Sequence, residues 1–291
     1  MATDRDLGRA TGQSTDEAAP DPRARLRADC ARCAGLCCVA LPFHRSSEFA
    51  FDKAAGTPCR NLAEDFRCRV HADLRTRGMA GCTTFDCLGA GQQVTQVTFG
   101  GRTWRDDAAL AQPMFGTFAT VRRLHELLWY LADAIERPAT APLRTELHEA
   151  ALAVERLTAR PAEALVTIDE EISSRGRATD DLLRRASALV RAEHLDRTRP
   201  ADRSGADLVG ARLAGADLRG TDLSAALLLG ADLHGADLRL ADVRYADLRG
   251  ADLRGADLSS SLYALGPQLA GARGDARTVL PPGVARPAHW E

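Results

Sequence analysis

The sequence predicts a multidomain chain: a small Cys-rich metal-binding module, then an α-helical middle region, then a repeat solenoid. Three observations predict it. All eight cysteines (Cys30, Cys33, Cys37, Cys38, Cys59, Cys68, Cys82 and Cys87) fall within a 58-residue window. The stretch after it places apolar residues at helical period, as in Leu124, Leu127, Leu128, Leu131 and Ile135. From Ala206 to Leu265 run twelve consecutive pentads, a period that fits neither a helical turn of about 3.6 residues nor the alternation of a strand.

Composition bounds the function. The 291 residues carry 38 basic and 40 acidic side chains, a formal charge of -2, which argues against an electrostatic nucleic-acid binder. Lys53 is the only lysine, so 37 of the basic residues are arginines. Arginine richness here is a compositional bias and does not by itself point to a phosphate site. Only 14 residues are aromatic, so a core has to be built mostly from Leu, Ala and Val. No apolar run approaches the roughly 18 residues a membrane helix needs, and residues 1–29 lack the charged-then-apolar order of a signal peptide. The expectation is a cytoplasmic protein without a membrane partner. In a reducing compartment, clustered cysteines favour metal ligation over disulfides.

In chain order, residues 1–29 are polar and aperiodic and are expected to be a disordered tail. Residues 30–100 form the Cys-rich module, with many turn residues and no long amphipathic pattern. Residues 101–200 form the helical region, with helices expected at about 107–137, 142–159, 162–174 and 178–195. Pro161 fits a first turn, and Gly176 is expected to separate the last two helices. His125, His148 and His194 lie here without the Glu-x-x-His or His-Glu-x-x-His spacing of helical metal sites, and are expected to have no catalytic duty. Residues 201–265 form the solenoid and 266–291 a C-terminal cap or tail over its exposed last coil.

Within the pentads the third position reads Leu208, Leu213, Leu218, Leu223, Leu228, Leu233, Leu238, Val243, Leu248, Leu253, Leu258 and Tyr263. These are the inward residues. The first position is small throughout, mostly Ala, and forms a second inward layer; the other three positions face water. The pattern, as in ADLRG at 216–220, resembles the pentapeptide-repeat family. That resemblance implies a right-handed quadrilateral β-helix with four pentads per turn, here about three coils. Residues four pentads apart then stack, placing Asp217, Asp237 and Asp257 beside Arg219 and Arg239, where opposite charges relieve the repulsion of a bare Asp ladder. Leu227 and Leu229 depart from the pattern and meet Val209 in an outward apolar patch, expected to pack on the protein's own helices. Some members of that family protect DNA gyrase by imitating DNA. Residues 206–260 carry nine Asp against six Arg, a net charge near -3, too weak for a duplex mimic, which presents one charge per about 1.7 Å.

The cysteines are spaced C-x2-C-x3-C-C, then twenty residues, then C-x8-C-x13-C-x4-C. Thiolates are soft ligands that suit zinc, Cu(I) or iron–sulfur clusters, and eight of them can complete two four-thiolate sites. The segments CARCAGLCC and PCRNLAEDFRCRVHADLRTRGMAGCTTFDC resemble a cysteine-rich family of zinc- or iron-chelating (YkgJ-type) domains. The resemblance implies that Cys30, Cys33, Cys37, Cys38, Cys59, Cys68, Cys82 and Cys87 are metal residues. Zinc is the expected cofactor, with iron or an iron–sulfur cluster as the alternative; His44 and His71 are each more readily surface histidines than ligands. Enzyme signatures such as a GxSxG elbow, a Walker loop or a Rossmann glycine pattern are missing from the sequence, and no catalytic or cofactor-binding residue is assigned. The expected function is a metal-binding pentapeptide-repeat scaffold or interaction protein with a protein partner. The alternative is an iron–sulfur or thiol-based redox sensor, and a homodimer stays open.

Overall fold

The computed structural model describes residues 23–167, 169–192 and 202–290. Residues 1–22 of the expected tail, and His194, lie outside the described residues. Residues 23–29 do not behave as a tail: Arg23 and Leu26 are buried, and the Arg23 guanidinium lies 5.4 Å from the Trp129 ring centroid.

The helices are α1 (Leu36–Ala40), α2 (Ala80–Thr83), α3 (Ala90–Gln92), α4 (Ala111–Glu136), α5 (Arg144–Thr158), α6 (Ala162–Leu165), α7 (Asp169–Ala192) and α8 (Gly266–Ala270). A π-helical stretch, Gln93–Thr98, continues α3. α4 is the axis of the molecule. Its buried residues Met114, Phe118, Val121, Leu124, Leu128 and Leu131 recur every three or four positions, and α1, α3, α5, α6 and α7 all pack on it. The break expected at Gly176 is absent; α7 runs unbroken through it. A helical Gly costs only about 1 kcal/mol, and burial of Ile172, Leu182, Leu183, Ala186 and Val190 along one face outweighs that.

The pentads build a repeat solenoid in which each residue at position two from Asp202 to Asp242 bridges in parallel to the one twenty residues on, as Asp217 does to Asp237 and Asp237 to Asp257. Four pentads therefore complete a coil. The contacts are single-residue bridges, so no strand of paired residues forms among the described residues. Between bridges the chain turns: the Ala211 N–H donates to the Leu208 carbonyl at 3.0 Å, and the fifth position from Gly210 to Gly255 carries positive φ, 63° at Gly210. A turn with φ > 0 at its second central residue favours glycine, which accounts for the G that closes most pentads. Ala225, Leu240 and Tyr245 hold the same conformation without that freedom.

Aspartate at position two has a structural task. From Asp207 to Asp257 all nine accept a hydrogen bond from the backbone N–H two residues on, at 2.9–3.2 Å. The charge columns stand in the expected register: Arg239 pairs with Asp237 at 2.6 Å and lies 3.7 Å from Asp257 in the next coil. Not every outward position meets water. Asp222, Asp242 and Arg244 are buried, because α7 lies over that side of the solenoid. Arg191 of α7 pairs with Asp222 at 3.0 Å, and Arg244 with Asp180 at 3.3 Å. Val209 and Leu227, expected to be covered by the helices, remain 57% and 43% exposed, because α7 takes this polar side instead.

Tyr263 ties the two halves together: its hydroxyl donates to the Leu183 carbonyl and its N–H to Asp133, both at 3.0 Å. Leu262, Tyr263 and Leu265 belong to the core that α4 organises, whereas the pentad Leu and Ala residues form a second core inside the coils. Past the last pentad, Arg273 and Val279 bridge to Asp252 and Asp257, and Trp290 is buried against that second core with Nε1 donating to the Ala272 carbonyl at 3.1 Å.

Candidate functional site

The cysteine zone has little apolar interior of its own, and Leu36, Val39, Leu88, Ala90 and Val94 join the α4 core instead. Long-range bonds from side chains of residues 96–122 shape its loops. Trp104 Nε1 donates to the Ala34 carbonyl at 2.8 Å, Gln96 to the Arg32 carbonyl at 2.8 Å, and Arg122 to the Asp86 carbonyl at 3.2 Å. His125 Nδ1 lies 2.6 Å from the Leu88 carbonyl, and burial lowers the imidazole to about 4, so the ring is neutral and donates that bond. This histidine is a strut for the Cys87 loop, consistent with the absence of a metal-ligand spacing around it.

Local backbone places the sulfurs. Gly35 takes φ 65° and opens α1, so that Cys37 and Cys38 fall in one short helix; a Cβ at Gly35 would sit 2.8 Å from the Leu62 side chain. Phe66 and Leu88 are non-glycine residues with φ of 64° and 49°, two residues before Cys68 and directly after Cys87. Strain of this kind persists only where the surroundings over-determine it. Gly91 gives room to two sulfurs from distant loops, since a Cβ there would stand 2.6 Å from Cys33 Sγ and 3.7 Å from Cys87 Sγ. Cys59 is tied to α1 by its N–H, which donates to the Cys38 carbonyl at 2.9 Å.

All eight cysteines are free thiols, and they act on one another. Cys37 and Cys38 lie 3.9 Å apart, sulfur to sulfur; that contact and then burial push the Cys37 thiol far up. Burial, followed by Cys59, Cys37 and Cys68, lifts Cys82 to about 11. Cys87 is lifted to about 12, chiefly by burial, with Cys33 among the minor causes. Cys30, Cys33 and Cys68 are raised mainly by burial as well. Such a set holds its protons firmly and gives them up readily only to a strong competitor for sulfur. Among the described residues no three His, Cys, Asp or Glu side chains are grouped closely enough to hold a metal ion as they stand. His44 and His71 are exposed, and His44 lies 3.5 Å from Asp52.

A family described as pentapeptide repeats matches residues 206–244 and 230–260, with eight copies. The uncharacterized protein YybG of Bacillus subtilis (strain 168) is 50% identical over 267 residues, covering 91% of this chain and 95% of that protein. The chain is a pentapeptide-repeat protein of the same family as YybG. Since that alignment reaches far beyond the repeats, this pentapeptide-repeat protein shares with its relative an arrangement larger than the solenoid alone. A solved pentapeptide repeat protein from the Arabidopsis thaliana thylakoid lumen is 35% identical over 22% of this chain and 55% of its own, with a TM-score of 0.12. Among the described residues no helix is long and apolar enough to cross a membrane.

Proposed function

We propose that this pentapeptide-repeat protein is a zinc-binding scaffold, in which the cysteine cluster takes up the metal and the solenoid presents a surface to a protein partner. The observation that carries the reading is that all eight cysteines are free thiols and that the fold brings Cys33 and Cys87, 54 residues apart, over the same Gly91, while Cys37 and Cys38 lie 3.9 Å apart, sulfur to sulfur. The donor set fits a soft or borderline metal, and a bound zinc would act structurally, adding folding energy to a zone with little interior of its own. Binding has to draw the sulfurs closer than they stand. A thiol-based sensor is the weaker alternative, because sensing thiols need a lowered pKa and Cys37, Cys82 and Cys87 are raised. We read the solenoid as the right-handed quadrilateral β-helix of its family, with Val209, Leu227 and Leu229 offered on its outer side. Its aspartates cap turns and pair with arginines, which leaves little free charge for imitating a nucleic acid.

The test is elemental analysis with a visible spectrum on protein purified without oxygen, alongside a variant carrying Cys30→Ser and Cys33→Ser. Colourless protein with about two zinc per chain, and loss of metal in the variant, is the expected result. Iron with acid-labile sulfide and absorbance at 300–450 nm would replace zinc by a cluster. Metal-free wild-type protein after zinc loading would end the metal reading.

A further inference from the structure

In a chain that writes arginine at 37 of its 38 basic positions, the one lysine lies inside the cysteine zone. Lys53 is 5% exposed. Its ammonium donates to three backbone carbonyls, Val39 at 3.0 Å, Ala54 at 3.1 Å and Thr57 at 2.9 Å, and so uses all three of its donors. It stands 5.7 Å from the Phe43 ring centroid, and the Lys53 and Phe43 backbones exchange hydrogen bonds at 2.8 and 3.0 Å. Val39 follows Cys38 on α1, and Thr57 lies two residues before Cys59. The ammonium thus clasps together the two segments that carry Cys37, Cys38 and Cys59.

Burying an ammonium is costly unless opposite charge compensates it. No carboxylate pairs with Lys53 among the described residues; burial lowers its pKa, and the partial negative charge that meets the ammonium comes from the three carbonyls. Arginine cannot do the same here: its planar fork does not place three donors on three carbonyls around one nitrogen. Against the chain's own bias, lysine is the residue whose shape fits.

Resting on the metal reading above, we propose that Lys53 is the positioning residue of the cysteine cluster. Its ammonium holds α1 against the 54–59 loop and so fixes the backbone that carries Cys37 and Cys38 relative to the backbone that carries Cys59.

The test uses the full chain with zinc or cobalt alone as the probe, comparing Lys53→Met, Lys53→Arg and, as a control for packing, Phe43→Leu. Lys53→Met should weaken zinc binding roughly 10- to 100-fold in chelator competition and shift the cobalt–thiolate band, with Lys53→Arg recovering only part. Unchanged affinity and band in Lys53→Met, or an equal loss in Phe43→Leu, would overturn the proposal. Because Lys53 is the only lysine, acylation followed by peptide mass analysis reports on it in the unmutated chain, should a variant fail to fold. Zinc should slow that acylation, and an unchanged rate would count against the proposal. If the wild-type protein takes up no zinc, the metal reading fails by itself. Lys53 is then judged by alkylation of Cys37, Cys38 and Cys59, which Lys53→Met should speed about tenfold by releasing the clasp, and an equal rate sinks it.

Discussion

The solenoid and the cysteine zone meet the same demand, pairing backbone groups and holding loops still, by opposite means. In the solenoid one short instruction repeats: a buried Leu, a small residue, an Asp that caps its own turn and a residue in the left-handed region. Its backbone bonds run to the residue 19 positions on, as from Leu208 N to the Leu227 carbonyl at 2.9 Å. In the cysteine zone no two loops are alike, and they are shaped by bonds from single side chains, such as Lys53 to Val39 14 residues away, Arg122 to Asp86 36 away and Trp104 to Ala34 70 away. A periodic structure spreads its stability over equivalent units, whereas an aperiodic one concentrates it in a few struts and, on the reading given above, in metal.

Substitutions should break that contrast in graded order. Leu238→Asp, which puts an unpaired charge at a site 1% exposed, should cost more than about 4 kcal/mol and abolish the solenoid's cooperative transition in chemical denaturation. Trp290→Ala, stripping the cap from the last coil, should cost about 3 kcal/mol by the same measurement. Removing metal with a chelator, or replacing Cys30 and Cys33 by Ser, should lower the protection of residues 30–90 in hydrogen exchange while leaving amides at 223–258 unchanged. A collapse of both regions together would show that they fold as one unit. At the small end, Arg239→Ala should cost under about 0.5 kcal/mol, since its pairs with Asp237 and Asp257 are exposed.

Acid should also separate the regions. The Arg254 side chain holds the Asp252 carboxyl down to about 2. A depressed acid contributes stability that is present above its unfolded value near 3.9 and is lost as pH falls toward 2. Solenoid stability should therefore drop between about pH 4 and pH 2, and Asp252→Asn should flatten that slope in urea titrations repeated across the range. Buried Asp242 has the opposite sign: burial raises it, so its ionisation costs stability as pH rises, and Asp242→Asn should leave neutral-pH stability equal or higher.

Much of the solenoid was legible because a five-residue period leaves few alternatives: the inward Leu column, the coil of four pentads and the stacking of Asp237 on Asp217 all follow from counting. Even there, two things were hidden. The Asp side chains looked like outward charge and are turn caps, a role that appears only when the backbone N–H two residues on is seen to need a partner. Gly176 looked like a helix end, but local propensity yielded to the packing of Ile172 and Leu183 on α4. In the cysteine zone the sulfurs were identified by type and spacing, while their neighbours were not. Lys53 drew attention in the sequence only as the sole lysine, and nothing local ties it to Val39 or Cys38.

By itself the sequence determined what its periodicity encodes: a solenoid core of Leu over Ala, amphipathic helices ahead of it, and a cluster of soft ligands ahead of those. The tertiary structure decided which sides of these elements meet. It laid α7 over Asp222, Asp242 and Arg244 and left Val209 and Leu227 exposed; it brought Cys33 and Cys87 together over Gly91 and set an ammonium between two cysteine-bearing segments. The physical reason is range. Turn preference and hydrophobic period act over a few residues and are written locally, whereas the burial of a charge depends on what packs over it from far along the chain.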